Sequence, residues 1–310
     1  MKVFISTTTF AEHSNEPLSI LEKNGIDFVL NPLKRKLTEQ EIGSFLKEGS
    51  YTGLVAGTES ITKEALEQAK SLRVISRVGV GMDNVDLSEA SKLHIRVFNT
   101  PDVLVDSVAE LAIGLIINCL RKIFSGDRNI HNKIWKKEMG LLFKGKVLGI
   151  IGFGKIGRRV AELAKVFGAN IIFYDVKKIK SRLAKQAPLG DIFTCADVIS
   201  LHFSGKETLI SSSEINKMKD GVILINTSRG SGIDEGALYD GLKSGKVASA
   251  ALDVFNNEPY NGKLLELGNC ILTPHIGSYA KEARIEMEIE SVNNLIKGLK
   301  GLKRSAIGKL

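Results

Sequence analysis

The sequence predicts an α/β protein of two doubly wound parallel-sheet domains, one inserted within the other. Three features lead there. From Met1 to Asn99, short apolar strands alternate with helical patterns. Val147–Asp175 then forms a strand, a glycine-rich turn, a helix and a second strand. Four further apolar strands follow it, at Asp197–Leu201, Val222–Ile225, Ala248–Asp253 and Cys270–Leu272. Strands separated by helices favour parallel pairing, because a parallel crossover needs a connection long enough to hold a helix.

The first series places strands at Val3–Ser6, Asp27–Leu30, Gly53–Ala56, Arg73–Ser76 and Arg96–Phe98. Helical patterns fall between them at Pro17–Lys23, Thr38–Lys47, Thr62–Ala69 and Asp86–Leu93, with Thr62 a suitable N-cap. Asp106–Leu120 reads as a helix apolar nearly all round, and therefore buried. Ser125–Leu142 is polar, with Trp135 alone among Lys133, Lys136 and Lys137; a lone tryptophan there suits a subunit interface. The last helix, from Lys281 to about Leu299, carries Ile285, Ile289, Val292 and Ile296 on one face. It is long enough to return the chain to the first domain. The expected boundaries are 1–98 with 281–310 for a discontinuous, flavodoxin-like domain, and 99–280 for the inserted one.

Composition narrows the class. The 310 residues are 43% apolar and 25% charged, as in a soluble globular protein. No stretch approaches the ~20 apolar residues of a membrane helix. The opening residues Met1–Ser6 suit a first strand better than a secretory signal. Cys119, Cys195 and Cys270 are far apart, without metal-ligand spacing. Buried thiols in a reducing cytoplasm, and no metal, are expected. The net charge of +8 is scattered along the chain, which argues against nucleic-acid binding and for steering of anionic ligands.

The unit at Val147–Asp175 carries the dinucleotide fingerprint Gly152-Phe153-Gly154-Lys155-Ile156-Gly157 between strand and helix. Gly152 permits the tight turn, Gly154 a close approach of backbone to pyrophosphate, and Gly157 close packing of the helix on the sheet. The N–H groups at the helix start, including those of Lys155 and Ile156, would hold the phosphates. Asp175 ends the second strand, where its carboxylate would accept bonds from a ribose diol and repel a 2′-phosphate. NAD is the expected cofactor of a Rossmann domain here.

In an open α/β sheet, ligands bind beyond the carboxyl ends of the strands. Three strands lead to Asn226-Thr227-Ser228-Arg229-Gly230, to Asp253 through Glu258-Pro259, and to Thr273-Pro274-His275-Ile276-Gly277-Ser278. An arginine, a glutamate and a histidine therefore emerge together, with Thr227 and Asp253 on the cofactor side. Singly, each has an ordinary explanation: a loop histidine, a surface ion-pair arginine, a turn. Their joint placement after successive strands is harder to explain so.

These segments, with Gly152–Gly157 and Arg77–Asp86, resemble the D-isomer-specific 2-hydroxyacid dehydrogenases, in a phosphoglycerate dehydrogenase-like branch, over essentially the whole chain. The resemblance implies NAD-linked interconversion of a D-2-hydroxy acid and its 2-oxo acid, with phosphoglycerate, glycerate and hydroxypyruvate as candidates. His275 is then the acid/base, Glu258 orients it, and Arg229 binds carboxylate and carbonyl oxygens. The N–H groups of Val78, Gly79 and Val80 would grip the substrate carboxylate. Domain closure would exclude water. A homodimer is expected; Arg77, Lys136 and Lys137 are candidate phosphate contacts, although a solvated basic face is the simpler explanation of them. The alternative is an NAD-sensing corepressor-like binding protein with little turnover.

The sequence departs from the family at several points. Phe203-Ser204-Gly205-Lys206 replaces a Pro-containing apolar turn after His202, and Gly232 stands where an apolar residue is common. The segment Lys180–Cys195 is short. Phosphoglycerate-specific members carry an arginine near the position of Gly57, and its absence here argues against a phosphorylated substrate.

Overall fold

A computed structural model describes residues 1–307. The chain divides into two compact units, Met1–Leu104 together with the chain from Ser278 onward, and Val105–Gly277. Each is described by itself.

In the first unit, β1 (Lys2–Ile5), β2 (Asp27–Leu30), β3 (Gly53–Ala56), β4 (Val74–Arg77) and β5 (Arg96–Phe98) form one parallel sheet. Its order is β2-β1-β3-β4-β5, the flavodoxin-like arrangement. The central strand β3 is buried along its whole length, as expected of a strand with helices on both faces. Helix α2 (Glu39–Gly49) begins with a reciprocal capping box between Thr38 and Glu41. Helix α3 (Lys63–Gln68) starts on Thr62, whose hydroxyl accepts the Ala65 N–H. The boundary lies beyond Phe98 for a local reason. The Thr100 hydroxyl accepts the Gly79 N–H at 2.9 Å, and the Asn99 amide donates to the Val80 carbonyl at 2.8 Å. Those bonds hold residues 99 and 100 to the loop that follows β4.

In the second unit, β6 (Val147–Ile151), β7 (Asn170–Tyr174), β8 (Lys185–Gln186), β9 (Val198–Leu201), β10 (Val222–Asn226), β11 (Val247–Leu252) and β12 (Cys270–Leu272) pair in parallel. The order is β12-β11-β10-β9-β6-β7-β8, a doubly wound sheet whose strand order reverses at β6 and β9. Six strands is the usual count for such a sheet; the seventh, β8, has two residues, too few for any hydrophobic pattern. Apolar side chains fill both faces. Leu148, Ile150 and Phe173 face α5 (Val105–Arg121) and α7 (Lys155–Val166), while Ile151, Ile199 and Leu224 belong to the opposite core. Phe153 stacks on Phe173 with centroids 3.7 Å apart, so the fingerprint turn is anchored in the core.

Cys119 and Cys270 are buried, and desolvation pushes their thiols up to about 11 and about 12. Cys195 is exposed, against expectation. It ends the short helix α8 (Leu189–Cys195), whose buried residues are Ile192 and Phe193. Among the described residues no helix is long and apolar enough to cross a membrane, and no cluster of His, Cys, Asp or Glu could hold a metal.

Candidate active site

The turn after β6 is shaped for a dinucleotide. Gly152 has φ +94°, and a Cβ there would lie 2.6 Å from the His202 carbonyl, so only glycine serves. Gly154 caps α7 without any side-chain cap, and a Cβ on it would meet nothing within 4 Å. A helix start of this kind offers backbone donors and a positive dipole end to a diphosphate. Asp175 Oδ2 accepts the Phe153 N–H at 2.8 Å, and Oδ1 accepts the Lys177 N–H at 2.9 Å. Each carboxylate oxygen retains acceptor capacity for a ribose hydroxyl. These residues fit NAD.

Beside them, His202 Nε2 pairs with Ser200 Oγ at 2.8 Å, and Thr227 Oγ1 lies 3.5 Å from Nδ1. Burial depresses this imidazole to about 4, so it is neutral at ordinary pH. It is a hydrogen-bonding group rather than a proton donor for chemistry near neutrality.

Arg229 follows β10 and is held by its backbone. Its carbonyl accepts the Asn226 side-chain amide at 2.8 Å and the Gly232 N–H at 3.1 Å. Asn226, itself 1% exposed, also accepts the Ser228 N–H at 3.0 Å. The Arg229 guanidinium donates to the Ser228 carbonyl at 2.9 Å.

His275 and Glu258 come from different strands and meet. His275 Nδ1 lies 2.9 Å from Glu258 Oε2 and 3.2 Å from Oε1. The Phe255 N–H donates to Glu258 Oε1 at 3.1 Å, which orients the carboxylate. The hydrogen bond to Glu258 raises the His275 pKa above its ordinary value; burial and the nearby Arg229 charge act in the opposite sense. Arg229, Glu258 and His275 are thus brought within electrostatic reach of one another. Nδ1 faces Glu258, so Nε2 is the ring nitrogen on the side away from that carboxylate.

The loop bearing His275 has an anchor whose role the sequence did not disclose. Asp253 is 1% exposed and accepts from Thr273 Oγ1 at 2.5 Å, from the Ile276 N–H at 2.8 Å and from the Gly277 N–H at 2.8 Å. Expected on the cofactor side, it is committed to the loop. His275 itself has φ +55°, a left-handed conformation costly for a non-glycine residue. The signals available were a polar residue closing each of two apolar runs, Asn226 and Asp253; both turn out to brace the loops that follow.

In the first unit, the Val78 N–H donates to the Ala56 carbonyl at 2.8 Å and the Gly79 N–H to Thr100 Oγ1 at 2.9 Å. Of the three amides singled out in the sequence, those two are already engaged; the N–H of Val80 has no partner among the described residues.

Residues 113–277 match the description "D-isomer specific 2-hydroxyacid dehydrogenase, NAD binding domain". A hydroxypyruvate reductase of Thermotoga maritima is 39% identical over 302 residues, covering 93% of this chain and 97% of that protein. A glyoxylate reductase of Thermococcus litoralis is 43% identical over 261 residues, covering 79% of each. A solved glyoxylate reductase from Paecilomyes thermophila superposes with a TM-score of 0.85 at 32% identity, covering 100% of this chain and 96% of its own.

Proposed function

Because the chain belongs to the D-isomer-specific 2-hydroxyacid dehydrogenases, NAD-dependent oxidoreductases, we propose that it reduces a short, unphosphorylated 2-oxo acid of the glyoxylate–hydroxypyruvate class. The observation that carries the reading is the His275–Glu258 pair at 2.9 Å beside the Arg229 charge. When bound, NADH supplies the hydride. His275 Nε2 donates a proton to the oxygen that becomes the hydroxyl, and takes it back in oxidation. Glu258 holds the ring orientation and stabilises its charged form. Arg229 binds the carboxylate and carbonyl oxygens through its planar donor fork.

The preference for an unphosphorylated acid is supported at Gly57. Position 57 is a glycine and supplies no cationic side chain; a Cβ there would lie 2.9 Å from the carboxylate oxygen Oε2 of the buried Glu59, a group that would repel a phosphate. We also propose a homodimer, through an apolar surface containing Trp135 and Met139, 84% and 89% exposed within the chain. A cytoplasmic location is in keeping with three unpaired cysteines.

The test is NADH oxidation with glyoxylate, hydroxypyruvate, pyruvate and phosphohydroxypyruvate compared side by side. Glyoxylate or hydroxypyruvate should give the highest kcat/KM, and His275→Ala should lower it by roughly 10²–10⁴-fold. A preference for phosphohydroxypyruvate would overturn the substrate class. Turnover unchanged in His275→Ala would overturn the mechanism.

A further inference from the structure

Two of the departures from the family pattern, Phe203 after β9 and Gly232 after Arg229, meet in the fold. A Cβ on Gly232 would lie 2.5 Å from Phe203 Cε1, 2.8 Å from its Cζ and 3.1 Å from Leu201 Cδ2. The phenyl ring occupies the space a side chain at 232 would take. Gly232 has no positive φ to demand glycine, so it is the ring that excludes a larger residue. One departure makes room for the other.

The place where they meet bears on the chemistry. The Gly232 N–H donates to the Arg229 carbonyl at 3.1 Å. The Gly232 carbonyl accepts the N–H groups of Leu209 and Ile210, at 3.0 and 3.1 Å. On the other flank, Gly230 backs onto the loop that leads to Glu258: a Cβ there would lie 2.0 Å from the Phe255 carbonyl carbon. The turn Gly230–Gly232 is therefore wedged between the Phe203 ring and the Phe255–Asn256 backbone, with Arg229 at its start.

We propose that Phe203 and Gly232 form a positioning pair that sets the placement of Arg229. The inference rests on the reading of Arg229 as the residue binding the substrate's oxygens. A guanidinium fork must match a planar carboxylate, and misplacement by ~1 Å from a remote change can cost ~10²-fold in rate. Removing the ring leaves a void beside a glycine turn, with only the Leu201 side chain remaining near it on that side. Adding a side chain at 232 with the ring present pushes the turn, and with it the N–H that holds the Arg229 carbonyl. Moving bulk from 203 to 232 fills the space once, from the opposite wall.

A double-mutant cycle tests this with Phe203→Ala, Gly232→Val and the pair combined. Each single variant is expected to raise KM for glyoxylate or hydroxypyruvate at least tenfold, while the Kd for NADH, read by fluorescence titration, stays within twofold. The combined variant should return KM to within threefold of wild type. Should Gly232→Val not fold, Phe203→Ala and the combined variant decide. Losses that simply multiply in the combined variant, or single variants with lowered Tm but unchanged KM, overturn the proposal. Arg229→Ala run alongside keeps the two levels apart: full activity in that variant would remove the underlying reading instead.

Discussion

Replacing Asp253 by asparagine is a sharp test of how the site is held. The side chain keeps its shape but exchanges one acceptor oxygen for a donor NH₂. If the amide oxygen stays at Oδ1, facing Thr273 and the Ile276 N–H, the new NH₂ confronts the Gly277 N–H, 2.8 Å from the original oxygen. Two donors then face each other in a residue 1% exposed. A buried donor left without an acceptor costs about 1–3 kcal/mol. At roughly 2–4 °C per kcal/mol for a domain of this size, Tm should fall by about 2–12 °C. The consequence for activity comes through His275, whose left-handed backbone, at φ +55°, costs ~1–2 kcal/mol and is secured by the bonds at the two following residues. Loosening them lets the imidazole move away from Glu258. A loss of about 1.4–3 kcal/mol in positioning corresponds to a roughly 10–100-fold lower kcat/KM. Steady-state NADH oxidation and thermal unfolding measure both quantities, with an NADH titration as control. Asp253→Asn with wild-type Tm and wild-type kcat/KM would refute the anchoring argument.

Three further outcomes are expected. Glu258 raises the His275 pKa, and reduction needs the protonated ring; activity should be full below that pKa and fall as pH rises through it. In Glu258→Gln the falling limb should move to lower pH, and a limb that stays in place would deny Glu258 this role. Asp175→Ala should raise the kcat/KM ratio of NADPH to NADH by roughly tenfold, as befits removing one like charge near a 2′-phosphate in a half-exposed site; an unchanged ratio would mean the carboxylate is not what discriminates. Trp135→Glu combined with Met139→Glu should convert a dimer to monomer in light scattering, and an unaltered mass would place the subunit contact elsewhere.

Much of this was legible from residue order alone. Glycine-rich turns are common, so the fingerprint becomes specific only with the strand before it, the amphipathic helix after it and a second strand ending on Asp175. Charged residues right after buried strands can be assigned to one end of a parallel sheet because every such strand points the same way. What could not be read depends on contacts between distant residues. Strand β8 exists only because Lys185 and Gln186 pair with Ile172 and Phe173. Thr100 belongs to the first unit because its hydroxyl meets Gly79, a partner at no sequence-predictable spacing. Cys195 is exposed because of how one short helix is rotated.

The two braces, Asn226 and Asp253, follow a common logic. Each stands at or just past the carboxyl end of an interior strand, each is about 1% exposed, and each bonds backbone groups of the loop that carries a charged residue. A buried polar side chain is tolerated only when its bonds are made, and breaking them is costly, so each loop is held in one arrangement. His275 and Glu258, by contrast, keep side chains 54% and 38% exposed. Rigidity therefore resides in the backbone beneath these groups, while their heads stay open, as the proposed role in binding and protonating substrate requires. It follows that a substitution at Asn226 or Asp253 should act on Arg229 or His275 as effectively as one at the reactive residue's neighbour, although neither brace touches a reacting atom.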